Sequence, residues 1–154
     1  MFFNLFKPKK PKISAHQISV KLKKNKSVYA GQILKIDVDI DNDNYYLSSY
    51  NDGYVSNKIS EKEKNYCERY GYGFVKNVIG DMIDFLIICQ NGYLNRFKIE
   101  LYKNYSNGSV FDIKDNLLYD NKEVVGKIID ERYNNQEIII NSLDEDRLVV
   151  FLSK

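Results

Sequence analysis

The sequence predicts a mostly β protein, an antiparallel meander forming a β-sandwich or barrel, with one short helix near 61–69. Three observations lead there. Leu34-Lys35-Ile36-Asp37-Val38-Asp39-Ile40-Asp41 alternates apolar and polar side chains without a break, the period of a strand with one face buried and the other in water. The same period recurs at Ile18, Val20 and Leu22, and at Phe97, Ile99 and Leu101. Between such runs stand Asp52-Gly53, Asn91-Gly92 and Asn107-Gly108, pairs that readily take the positive φ angles of tight hairpin turns.

Taken in order, residues 1–12 stand apart. Met1-Phe2-Phe3-Asn4-Leu5-Phe6 is apolar, Lys7-Pro8-Lys9-Lys10-Pro11-Lys12 is basic, and both prolines of the chain lie here. Proline opposes helix continuation, so the segment reads as a tail. The rest, 13–154, reads as a single β-rich domain, with 104–108 the place where it would subdivide. Residues 13–22 and 28–41 form the first two strands, joined by the polar turn Lys23-Lys24-Asn25-Lys26. Tyr45 to Tyr50 and Tyr54 to Ile59 pair across Asp52-Gly53. Ser60-Glu61-Lys62-Glu63 has the form of a capping box and opens a helix running to about Arg69. Gly71 and Gly73 then stop it.

Strand returns at Phe74 to Ile79 and Met82 to Gln90. Phe85-Leu86-Ile87-Ile88-Cys89 is apolar on both faces and belongs in the centre of its sheet. Asn91-Gly92 turns the chain into Tyr93 to Tyr102, and Asn107-Gly108 into Val110 to Ile113. Shorter strands follow at Asn116–Tyr119, Glu123–Glu131, Glu137–Asn141 and Arg147–Leu152. Ser142-Leu143-Asp144-Glu145 also fits a capping box, but Val149 and Val150 are β-branched and their apolar run is continuous, so a hairpin is expected there.

Two stretches carry fold resemblances. Ile18-Ser19-Val20-Lys21-Leu22 followed by Val28-Tyr29-Ala30-Gly31-Gln32 resembles the first two strands of immunoglobulin-like or arrestin-like sandwiches. The stretch from Val124 resembles a small SH3-like barrel in its spacing. Such likenesses bear on architecture and license no function.

The 154 residues suffice for one domain with its own core. Apolar residues make up 44% and charged residues 29% of the chain, proportions of a globular protein rather than a disordered one. The net charge of +2 is too small to make the whole surface a trap for polyanions. Cys67 and Cys89 make no disulfide framework and no secretory signal is read, so a reducing cytoplasm is expected. No apolar run approaches the length of a membrane span. Lys, Asn, Ile, Tyr and Phe abound, residues with AT-rich codons, which points to an AT-rich bacterium or its phage.

The acidic row Asp37, Asp39, Asp41, Asp43 begins like a calcium loop, yet Asn42 stands where the loop needs Gly and Ser48 where it needs Glu. Same-face residues of a strand lie roughly 7 Å apart, too far to close on one ion. A solvated strand face is the expected reading, with no metal and no cofactor. Tyr70-Gly71-Tyr72-Gly73-Phe74-Val75-Lys76-Asn77 resembles the RNP1 octapeptide of RNA recognition motifs, whose aromatics stack on bases. It departs from that pattern at Tyr70 and Asn77, and the strand and helix order around it differs from that fold. His16, Cys67 and Cys89 are too dispersed to read as a nucleophile–base pair.

The tyrosines are more informative. Tyr45, Tyr46, Tyr50, Tyr54, Tyr66, Tyr70 and Tyr72 crowd one region, and Tyr offers a large contact area at small entropic cost. The expected function is therefore non-enzymatic binding of a protein partner, of inhibitor, immunity or adaptor type, with Tyr46, Tyr50, Tyr54, Tyr66, Tyr70 and Tyr72 as the contact residues. The first alternative is a single-stranded nucleic-acid-binding β domain using Tyr70, Tyr72 and Phe74. The second is weak, peripheral membrane contact through the tail, with Phe2, Phe3 and Phe6 inserted and Lys7, Lys9 and Lys10 at the headgroups. Pairing of an exposed edge strand leaves a homodimer open.

Overall fold

A computed structural model describes residues 15–67, 71–88, 92–96, 98–129, 136–143 and 146–152. The tail with Phe2, Phe3, Phe6, Lys7, Lys9 and Lys10, together with Arg69, Tyr70, Cys89 and Asn91, lies outside them. The protein is mostly β, built of two antiparallel sheets, one of them a half-barrel, with a single short helix among the described residues.

The first sheet contains β1 (Ala15–Lys21), β2 (Ile33–Asp39), β3 (Asn44–Ser49), β4 (Gly53–Tyr54), β5 (Tyr72–Ile79) and β6 (Met82–Ile88) in the order β1-β6-β5-β2-β3-β4. The expected alternation is realised in β2: Leu34 and Ile36 are sealed in the core, while Lys35 and Asp37 face outward. The alternation overruns the strand, for Ile40 sits in the following turn and is exposed. Ile18, Val20, Leu34, Ile36, Tyr45, Leu47, Ile83, Phe85 and Ile87 line the concave side. The strands expected at 13–22 and 28–41 are found as the shorter β1 and β2, and these do not pair with each other. The β5–β6 hairpin lies between them, with β6 hydrogen-bonded to β1 and β5 to β2. The reason lies in β6: Phe85 and Ile87 fill the concave core, Leu86 and Ile88 fill a second one on the opposite side, and a strand apolar on both faces is stable only in a sheet interior. The β1 and β4 edges are drawn together at one end by the Lys23 N–H donating to the Val55 carbonyl (2.9 Å) and the Asn57 N–H to the Lys21 carbonyl (2.8 Å).

The helix α1 is Glu61–Lys64, shorter than the sequence reading, with Ser60 as N-cap accepting from the Glu63 N–H. Tyr66 and Cys67 therefore lie in the turn beyond it. Gly73 is no helix stop: it lies inside β5, where a Cβ would collide with the Leu86 carbonyl oxygen.

The chain passes to the second sheet between β6 and β7. This sheet contains β7 (Gly92–Arg96), β8 (Ile99–Leu101), β9 (Val110–Lys114), β10 (Leu117–Asp120), β11 (Glu123–Ile128), β12 (Gln136–Leu143) and β13 (Asp146–Leu152) in the order β7-β13-β12-β9-β10-β11-β8. The C-terminal run is strand, hairpinned to β12. The β9-β10-β11 meander turns at Asp115-Asn116 and at Asn121, all at positive φ. Phe111, Ile113, Leu118, Val125, Ile128, Ile138 and Ile140 form its core. The opposite face of β12 meets the first sheet: Ile139 packs with Phe74, Leu86 and Ile88, and the buried Asn141 amide donates to the Gly31 carbonyl at 2.8 Å. No helix among the described residues is long and apolar enough to cross a membrane.

Candidate functional site

Among the described residues the junction with β12 lies over β5 and β6, with Ala15 of β1 and Ile33 of β2 at its margin. On the β2-β3-β4 half, register decides which side chains share the face, because directly opposed residues of antiparallel strands point the same way. Lys35 lies opposite Ser48, Asp37 opposite Tyr46, and Asp39 opposite Asn44. Ser48 in turn lies opposite Tyr54. The outward positions of β2 and β3 thus place Lys35, Asp37, Asp39 and Tyr46 on one surface, with Tyr54 at its edge.

The rings on this surface are ordered. Tyr46 and Tyr54 stack with centroids 4.5 Å apart and planes 9° from parallel, an arrangement worth about 1 kcal/mol beyond burial. Tyr50 projects from the β3–β4 turn at 83% exposure, with the Lys35 ammonium 5.4 Å from its ring centroid. The same ammonium lies 3.8 Å from Asp37 Oδ1. Tyr72 borders the patch: it lies opposite Lys35 from the β5 side and packs against the inter-sheet core. Burial raises the Tyr72 phenol pKa above its ordinary value. The Tyr54 phenol is also raised, by burial first and then by the charges of Asp37 and Asp39 and by Tyr46.

The sequence-predicted set therefore divides. Tyr46, Tyr50 and Tyr54 converge on one face with Tyr72 at its margin. Tyr66 is elsewhere, its ring 4.4 Å from that of His16 beyond α1. Tyr45 belongs to the concave core, with the Lys64 ammonium 5.2 Å from its ring. Phe74, grouped above with a base-stacking surface, is sealed between the two sheets because β5 is a central strand. Lys35, Asp37 and Asp39 are the neighbours that tyrosine counting missed. The signal was present: a turn centred on Asp41 and Asn42 puts Asp37 directly across from Tyr46.

Asp39 and Asp43 have different partners. Asp39 accepts from the Asn42 amide at 2.9 Å, and Asp43 pairs with Lys64 at 2.8 Å. Among the described residues no group of three His, Cys, Asp or Glu is placed to hold a metal ion. The surface can offer π faces, phenol hydroxyls and carboxylates to a partner.

Comparison of the chain with family models, with curated proteins and with solved structures finds no match.

Proposed function

We propose that this protein is a non-enzymatic binding protein of inhibitor, immunity or adaptor type that holds a protein partner on the β2-β3-β4 face. The observation that carries the reading is the Tyr46–Tyr54 stack with Tyr50 projecting beside it. Stiff aromatic side chains on a regular sheet lose little entropy on docking, and they are enriched at interface centres. Asp37 and Asp39 on the same face favour a protein over a single-stranded nucleic acid, whose phosphates they repel. The codon bias of the composition supports a bacterial or phage origin, and the absence of a disulfide framework supports a cytoplasmic setting.

The test is affinity capture from lysate with wild type, a Tyr50→Ala/Tyr54→Ala variant and a Tyr102→Ala control. A protein kept by wild type and control but lost by the double variant is the expected result. Equal recovery by all three would contradict the reading. Elution by moderate salt of a nuclease-sensitive species would favour nucleic acid instead.

A further inference from the structure

The described part of the β2-β3-β4 face is acidic although the chain as a whole carries +2. Lys35 is the basic side chain among its outward positions, against Asp37 and Asp39 two residues apart on the same strand. Asp37 is only 23% exposed, so its charge is partly stripped of water and less screened than a fully solvated carboxylate. Beside the carboxylates stand the π faces of Tyr46, Tyr54 and Tyr50, which carry negative electrostatic potential. The molecule already uses this combination internally: the Lys35 ammonium sits between the Tyr50 ring and Asp37.

We propose that the segment docking on this face presents arginine, its guanidinium lying against the tyrosine rings and forking to Asp37 and Asp39. This deepens the binding reading above and rests on it. Arginine fits better than lysine because its planar cation stacks on phenol rings while donating in the ring plane to carboxylates. The face thus selects a basic loop or strand of the partner, and Lys35 acts as a resident competitor for the same groups.

The probe is a capped tetra-arginine peptide, with tetralysine and tetraglutamate for comparison, titrated into the isotope-labelled full chain and followed by amide chemical shifts. Expected are shifts concentrated at residues 35–39, 46, 50 and 54, arginine tighter than lysine, and no response to tetraglutamate. Asp37→Asn/Asp39→Asn weakens binding roughly fivefold, and Lys35→Gln tightens it by about threefold, a gain that misfolding does not produce. Asp112→Asn/Asp120→Asn, on the second sheet, leaves it unchanged. Shifts spread over acidic residues generally, or no change with Lys35→Gln, overturn the proposal. Capture separates the two claims. A partner lost by Tyr50→Ala/Tyr54→Ala yet retained by Asp37→Asn/Asp39→Asn leaves the face standing and removes the cation. Retention by both variants removes both.

Discussion

Gly73 has no room for a side chain, since β5 and β6 approach so closely that a Cβ would meet the Leu86 carbonyl oxygen and the Phe85 ring. Gly73→Ala is expected to cost about 3 kcal/mol in urea unfolding, because the clash is with backbone that cannot swing away. Tyr54 gives a pH signature. Its folded pKa lies above the ordinary phenol value, so the folded state holds the phenol proton more tightly than the unfolded chain. The associated stability is present below about pH 10 and is lost as pH rises through the folded value. Tyr54→Phe should flatten part of the alkaline decline, with Tyr72 supplying more of it. Asp37→Asn/Asp39→Asn should lower the Tyr54 titration, followed by phenolate absorbance, without returning it fully, since burial is the larger cause. At this scale much was legible in the sequence. The period of two buried Leu34 and Ile36 correctly. It could not say that Phe74 faces a second sheet, because burial on a convex face depends on what packs there.

At the scale of elements, α1 ties together strands distant in sequence. One Glu63 carboxylate oxygen accepts from Ser60 Oγ at 3.0 Å, and the other accepts from the Ser19 N–H at 2.8 Å. The carboxylate thus reaches back to its own helix start, as a capping box requires, and also caps an outward amide of edge strand β1. Glu63→Ala should cost about 1–2 kcal/mol and speed hydrogen exchange at Ser19. Protection of Ser19 unchanged by the substitution would remove this role. The turn dipeptides were informative about reversals and silent about partners. Gly53 and Gly108 adopt positive φ as expected. Asp52-Gly53 joins strands that pair, β3 and β4. The strand after Gly108, β9, pairs with β10 and β12 rather than β8. A turn signal is local, whereas pairing is set by which apolar faces need covering.

For the whole molecule, the two sheets are held by the Phe74–Leu86–Ile88–Ile139 core and the Asn141–Gly31 hydrogen bond. Ile139→Ala should destabilise by roughly 2–5 kcal/mol. Hydrogen exchange should then quicken in β5 and β6 as well as in β9 and β12. Quickening confined to the second sheet would mean that the sheets fold independently. This junction also explains why the proposed binding face lies where it does: among the described residues β12 packs over β5 and β6 and leaves Tyr46, Tyr50 and Tyr54 away from the junction. The abundance of tyrosine was legible in the sequence, but its division among core, junction and open face was not, since that depends on where β12 packs on the first sheet as well as on the register of β2 on β3. Both proposals depend on that division. It is tested most directly by residue-resolved nitration of the free protein, read by mass spectrometry. Tyr50 is expected to label fast, Tyr45 slowest of the four, and Tyr46 and Tyr54 in between; Tyr50 labelling as slowly as Tyr45 would contradict that division.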